Sequence, residues 1–74
     1  MHENLRALRE DHDLSQKEMA GILKIHQTTY SDYELGKLNI PTDTLVRLAD
    51  YFGTSVDYLL GLTDEKKAYP RKKK

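Results

Sequence analysis

The sequence contains no cysteine, which excludes disulfides, thiolate metal ligands and a cysteine nucleophile together and leaves helix packing, with or without a partner subunit, to hold the fold. A reducing compartment fits that composition. No apolar run approaches the roughly 18 residues of a membrane span. The start, Met1-His2-Glu3-Asn4, lacks the basic-then-apolar order of a signal peptide, so a soluble cytoplasmic protein is expected. Strand signals are missing too: nowhere do β-branched or aromatic residues alternate with polar ones over a strand's length, and there are no internal repeats. What remains is a short all-α chain of 74 residues. That is below the usual domain length of about 100 to 150, so one small core is the ceiling.

Charge is balanced overall, with 12 basic and 12 acidic side chains, but it is unevenly placed. Residues 1–61 carry six basic against ten acidic side chains, and residues 62–74 carry six basic against two acidic. The body is therefore −4 and the tail +4. The tail mixes charge with Pro70 and has almost no apolar content, so residues 62–74 are expected to be a disordered basic extension of a domain spanning residues 1–61.

Helical periodicity divides the body. Leu5 and Leu8 mark the apolar stripe of a first helix, Asn4 to His12. Ser15-Gln16-Lys17-Glu18 has the S-x-x-E form of a capping box and starts a second helix, whose apolar residues Met19, Ala20, Ile22 and Leu23 give out at Lys24. A tight turn at Lys24-Ile25 leads into a third helix from His26. There Tyr30, Tyr33 and Leu35 are the residues able to face a core, leaving Gln27, Thr28, Ser31 and Asp32 outward. Gly36 suits a left-handed helix end, and Lys37 to Pro41 reads as an exposed loop. Leu45, Leu48, Ala49 and Phe52 follow i, i+3, i+4, i+7 in a fourth helix that Gly53 stops. Ser55 caps a last short helix, Val56 to Leu60, with Asp57 in its first turn and Gly61 at its end.

The informative unit is Ser15 to Gly36: two short helices joined by a tight turn, the second exposing polar side chains. An α-helix fits the major groove of B-DNA, where glutamine pairs with adenine and threonine offers a hydroxyl and a methyl to thymine. Gln27 and Thr28 stand at the start of that helix.

Leu14-Ser15-Gln16-Lys17-Glu18-Met19-Ala20, then Gln27 to Lys37, Pro41, and the closing run Leu48 to Gly61, resemble the Cro and phage-repressor (xenobiotic-response-element, XRE) regulators over residues 4 to 61. The resemblance implies a lambda-repressor-like domain of five short helices. It also implies a cytoplasmic, nucleoid-associated homodimer that binds operator DNA as a repressor, with helix 3, about residues 27–35, in the major groove. By position it implies base contacts from Gln27, Thr28 and Asp32, with Ser31 and His26 as weaker candidates. Phosphate contacts map to Gln16 and Lys37, with Lys17 nearby, and Ala20 takes the small position where helices 2 and 3 cross. An arginine–glutamate pair between helices 1 and 3 would be Arg9 and Glu34, in a structural role. Three residues depart from the pattern. Lys24 replaces a turn glycine and would sit at positive φ. His26 replaces a serine or threonine cap, where an imidazole caps less well and is free to meet a phosphate. Asp32 stands where many relatives carry arginine or glutamine, and a carboxylate there is repelled by phosphate unless a cytosine amino group donates to it.

The same residues admit other readings. The aromatics could stack on single-stranded bases, but their helical spacing suits core or dimer packing better. His2, His12 and His26 lack metal-ligand spacing, and no nucleophile and base are grouped around a pocket, so neither a metal, a cofactor nor an enzyme activity is expected. The basic tail serves either solubility or phosphate contact. An antitoxin or antirepressor acting through a basic protein partner is the competing function, motivated by the acidic body.

Overall fold

The computed structural model describes residues 2–68. It holds five short helices and, among these residues, no strand: α1 (Glu3–Asp11), α2 (Gln16–Leu23), α3 (Gln27–Leu35), α4 (Thr42–Phe52) and α5 (Val56–Leu59). The expected boundaries agree to within one residue. α2 and α3 pack on each other, α4 packs on α5, and α1 spans the bundle against α3 and α5.

Each boundary has a local cause. α1 begins without a side-chain cap, but the His2 amide donates to the carbonyl of Glu34 (3.2 Å), tying its start to the end of α3. At its other end the His12 ring bonds the Leu8 carbonyl through Nδ1 (2.9 Å) and meets the Phe52 ring edge-on, with centroids 4.9 Å apart. The capping box starts α2 as its sequence requires: the Glu18 amide donates to Ser15 Oγ (3.0 Å) and the Ser15 amide to Glu18 Oε1 (2.9 Å). Those bonds favour the ionised carboxylate and hold the Glu18 pKa below its ordinary value, the Ser15 backbone amide contributing most. α2 ends at Lys24 with φ +59°, so a lysine does occupy the left-handed region. Gly36 ends α3 with φ +78°. Ser55 caps α5 by accepting from the Tyr58 amide (3.0 Å).

The core gathers Leu5, Leu8, Met19, Ala20, Leu23, Tyr30, Leu45, Leu48, Ala49, Phe52 and Leu59. Two expectations are corrected. Leu35 does not face this core and is 48% exposed, because Tyr33 and Glu34 take the inward positions at the end of α3. The loop after α3 is not wholly exposed either, since Ile40 turns inward to close the core beneath it.

Residues 62–68 run back across the bundle without regular structure. The buried Thr54 hydroxyl donates to the Lys66 carbonyl (2.5 Å), and Lys66 Nζ lies 3.6 Å from Asp11. Residues 69–74, nearly half of the expected tail and including its basic cluster Arg71 to Lys74, lie outside the described residues.

Candidate nucleic-acid interface

The α2–turn–α3 unit exposes the start of α3 because the inward side of that helix is filled. Tyr30, Tyr33 and Glu34 are buried, and the residues beside them on the helix surface, Gln27, Thr28 and Ser31, are not. Gln27 and Thr28 are exposed in the first turn. Ser31 follows one turn on, half-buried, and Asp32 is half-buried beside it. Asp32 also fixes what comes next, its carbonyl accepting from the amide of Lys37 (2.9 Å) as the chain leaves Gly36. His26 precedes the helix in extended backbone, exposed and with no side-chain capping bond.

Of the four residues mapped to phosphate, Lys17, His26 and Lys37 are exposed side chains at the start of α2, the start of α3 and the start of the loop after α3. Gln16 differs. It is half-buried, and its Nε2 donates to Glu34 Oε1 (3.1 Å) across the α2–α3 contact.

That bond belongs to a buried network around Glu34. Arg9 donates through Nε to Oε2 (2.6 Å) and through Nη2 to Oε1 (3.2 Å), while Nη1 reaches the Leu14 carbonyl (2.7 Å). The Tyr30 hydroxyl donates to Oε2 (2.5 Å). Burial pushes the Glu34 carboxyl up, but the bonds from Arg9, Tyr30 and Gln16 outweigh it and hold the pKa below its ordinary value. The bond to Glu34 raises that of Arg9, and burial raises that of Tyr30, so the phenol stays a donor. The resemblance pointed to the Arg9–Glu34 pair. The Gln16 arm carried no sequence signal, since Gln16 lies 18 positions from its acceptor; the Tyr30 arm had one that the sequence reading missed, the i, i+4 spacing of Tyr30 and Glu34 on one helix. A cavity of about 460 Å³ borders the network, lined by His2, Glu3, Arg6, Arg9, Gln16, Glu34 and Leu35.

Charge is distributed in a way the totals hide. Within residues 15–41, Lys17, Lys24 and Lys37 stand against Glu18, Asp32 and Glu34, and Glu34 is already paired with Arg9. The acidic surplus therefore lies outside the helix-turn-helix, in Glu3, Glu10, Asp11, Asp13, Asp43, Asp50 and Asp57. Among the described residues no group of acidic and histidine side chains is placed to hold a metal ion, and no helix is long and apolar enough to cross a membrane.

Comparison with known proteins agrees with this arrangement. The helix-turn-helix family model matches residues 5–59. The chain is 41% identical over 63 residues to the uncharacterised HTH-type transcriptional regulator YobD of Bacillus subtilis, covering 85% of this chain and 56% of that protein. It is 35% identical over 69 residues to the HTH-type transcriptional regulator AnsR of the same organism, covering 93% of this chain and 60% of AnsR. To the control protein C.SmaI of Serratia marcescens it is 38% identical over 66 residues, covering 85% of this chain and 79% of that protein. The chain thus spans little more than half the length of the Bacillus relatives. No solved structure matches it. With a match across nearly the whole helical body and transcriptional regulators among its relatives, the chain belongs to the XRE-type helix-turn-helix family of DNA-binding regulators.

Proposed function

We propose that this protein is a dimeric, sequence-specific repressor that lays α3 in the major groove of operator DNA and performs no catalysis. The observation that carries this reading is the face of α3: Gln27 and Thr28 exposed in its first turn, Ser31 one turn on, all backed by buried Tyr30 and Tyr33. Gln27 reads adenine through a bidentate pair, and Thr28 and Ser31 contact neighbouring base edges. Asp32 accepts from a cytosine amino group. Lys17, His26, Lys37 and Gln16 fix the register on phosphates, aided by the N-terminus of α2.

Two copies read half-sites about one helical turn apart along a near-palindrome. Leu60 and Leu62, exposed just after α5 (40% and 73%), supply apolar surface for the subunit contact. The cytoplasm and nucleoid are where such a protein works. Selection of duplexes from a random pool tests the reading. Enrichment of a pseudo-palindrome is the expected result, and recovery of no motif at low salt would overturn it.

The acidic surplus outside residues 15–41 favours one other reading, an antitoxin or antirepressor that meets a basic protein partner. A stoichiometric protein partner together with duplex binding that stays non-specific would select it.

A further inference from the structure

We infer that Glu34 is a positioning residue for DNA backbone binding: it holds the Gln16 side chain so that one amide hydrogen is spent on the protein and the other is left for a phosphate. The inference rests on the DNA-binding reading above and adds a role for a group that touches no DNA.

An ionised carboxylate offers about four acceptor sites. Those of Glu34 are all used: Oε2 by Arg9 Nε and the Tyr30 hydroxyl, Oε1 by Arg9 Nη2 and Gln16 Nε2. Arg9 and Tyr30 come from inside the bundle, whereas Gln16 is the first residue of α2 and is half-buried. A glutamine amide carries two hydrogens. With one donated to Glu34, the rotation that lets a surface glutamine sample many rotamers is removed before DNA arrives, so less entropy is lost in making the second bond. Glu34 closes the recognition helix and Gln16 opens α2, so the same bond registers the phosphate contact to the base-reading helix. The negative charge that would otherwise repel a phosphate is neutralised by Arg9.

The test has a structural arm and a binding arm. In the free wild-type protein, NMR relaxation of the Gln16 side-chain amide is expected to give an order parameter close to rigid backbone, about 0.85, against below about 0.6 for exposed Gln27. Gln16 as mobile as Gln27 would overturn the inference without any variant. For binding, Gln16→Ala is expected to weaken all duplexes by about tenfold per half-site, the worth of one hydrogen bond to a charged group. The slope of affinity against salt should not change, because a neutral amide releases no counterion. The apolar replacement Arg9→Met/Tyr30→Phe/Glu34→Met, checked for folding by circular dichroism, should lose the same tenfold, and adding Gln16→Ala to it should lose nothing more. Losses that multiply, or wild-type affinity in the apolar variant, would overturn the positioning role. A wild-type protein that binds no duplex selectively would instead overturn the DNA-binding reading, and the relaxation arm separates the two failures.

Discussion

Replacing Arg9 by methionine keeps most of the side-chain volume and removes the cation from a carboxylate that has no other. In the wild type Glu34 is 7% exposed and accepts from Arg9 at 2.6 and 3.2 Å. Taking away one partner of a buried pair typically costs about 3–5 kcal/mol, because the remaining charge is left without compensation. The lower end applies here, about 3 kcal/mol. Tyr30 and Gln16 still donate to Glu34, and the adjoining cavity of about 460 Å³ gives the carboxylate access to solvent. In a domain of this size each kcal/mol moves Tm by roughly 4–8 °C, so Arg9→Met should melt roughly 12–24 °C below wild type at neutral pH.

The pH dependence gives a second readout of opposite sign in the two proteins. In the wild type the folded pKa of Glu34 is depressed, so its stabilisation is fully present above the unfolded value and is lost as pH falls through the folded one. In Arg9→Met burial acts without the cation and raises the folded pKa, so the variant gains stability as pH falls through that raised value. Thermal unfolding at about pH 7 and about pH 5, both above the unfolded glutamate value of about 4.3, should show the gap narrowing on acidification. Arg9→Met/Tyr30→Phe/Glu34→Met, which also removes the buried hydroxyl that would lose its acceptor, should return to within about 1 kcal/mol of wild type, since apolar groups of similar volume often replace a buried ion pair without loss. A single variant within about 1 kcal/mol of wild type at pH 7, or a triple variant as unstable as the single one, would refute the reasoning.

Three further outcomes are expected. Lys24→Gly should raise stability by about 0.5 kcal/mol in denaturant unfolding, the relief of roughly 1 kcal/mol of left-handed strain being partly offset by unfolded-state entropy; Lys24→Val should lower it. Gln27→Ala and Thr28→Ala should each relax preference at one or two operator positions by about 1–3 kcal/mol in competition binding, with the melting temperature unchanged. Lys37→Ala should weaken all duplexes alike and flatten the log–log salt slope by about 0.9 per half-site.

Elements with strong local signals are legible in the amino-acid sequence alone. The capping box, the i, i+3, i+4, i+7 run from Leu45 to Phe52, and the glycines that end α3 and α4 each act within a few residues, and the structure has them where the sequence places them. The left-handed Lys24 is legible only because the family pattern has glycine there. Leu35 misleads because hydropathy does not show which of two adjacent residues turns inward. Glu34, the polar one, is buried because Arg9, Tyr30 and Gln16 satisfy it, and Leu35 is left outside. Thr54 is hidden from pattern reading for the same reason: its hydroxyl is buried against a carbonyl 12 positions away. Polar residues paired across the chain defeat periodicity, because their partners are not neighbours in sequence.

An acidic body remains compatible with DNA binding because range decides which charges count. α4 begins where the loop carrying Lys37 ends, and Asp50 lies eight residues along it, about 12 Å at 1.5 Å per residue. Asp57 lies beyond, in α5. The Debye length is about 8 Å at physiological salt and about 30 Å at 0.01 M. If Lys37 holds a phosphate as proposed, these carboxylates are largely screened from it in physiological salt, while in dilute buffer their repulsion reaches it. Asp50→Asn/Asp57→Asn should therefore tighten duplex binding several-fold at 0.01 M salt and leave it nearly unchanged at 0.15 M, as measured by fluorescence anisotropy. A gain of the same size at both salt concentrations would place the acids within a Debye length of the phosphates and refute the argument from range.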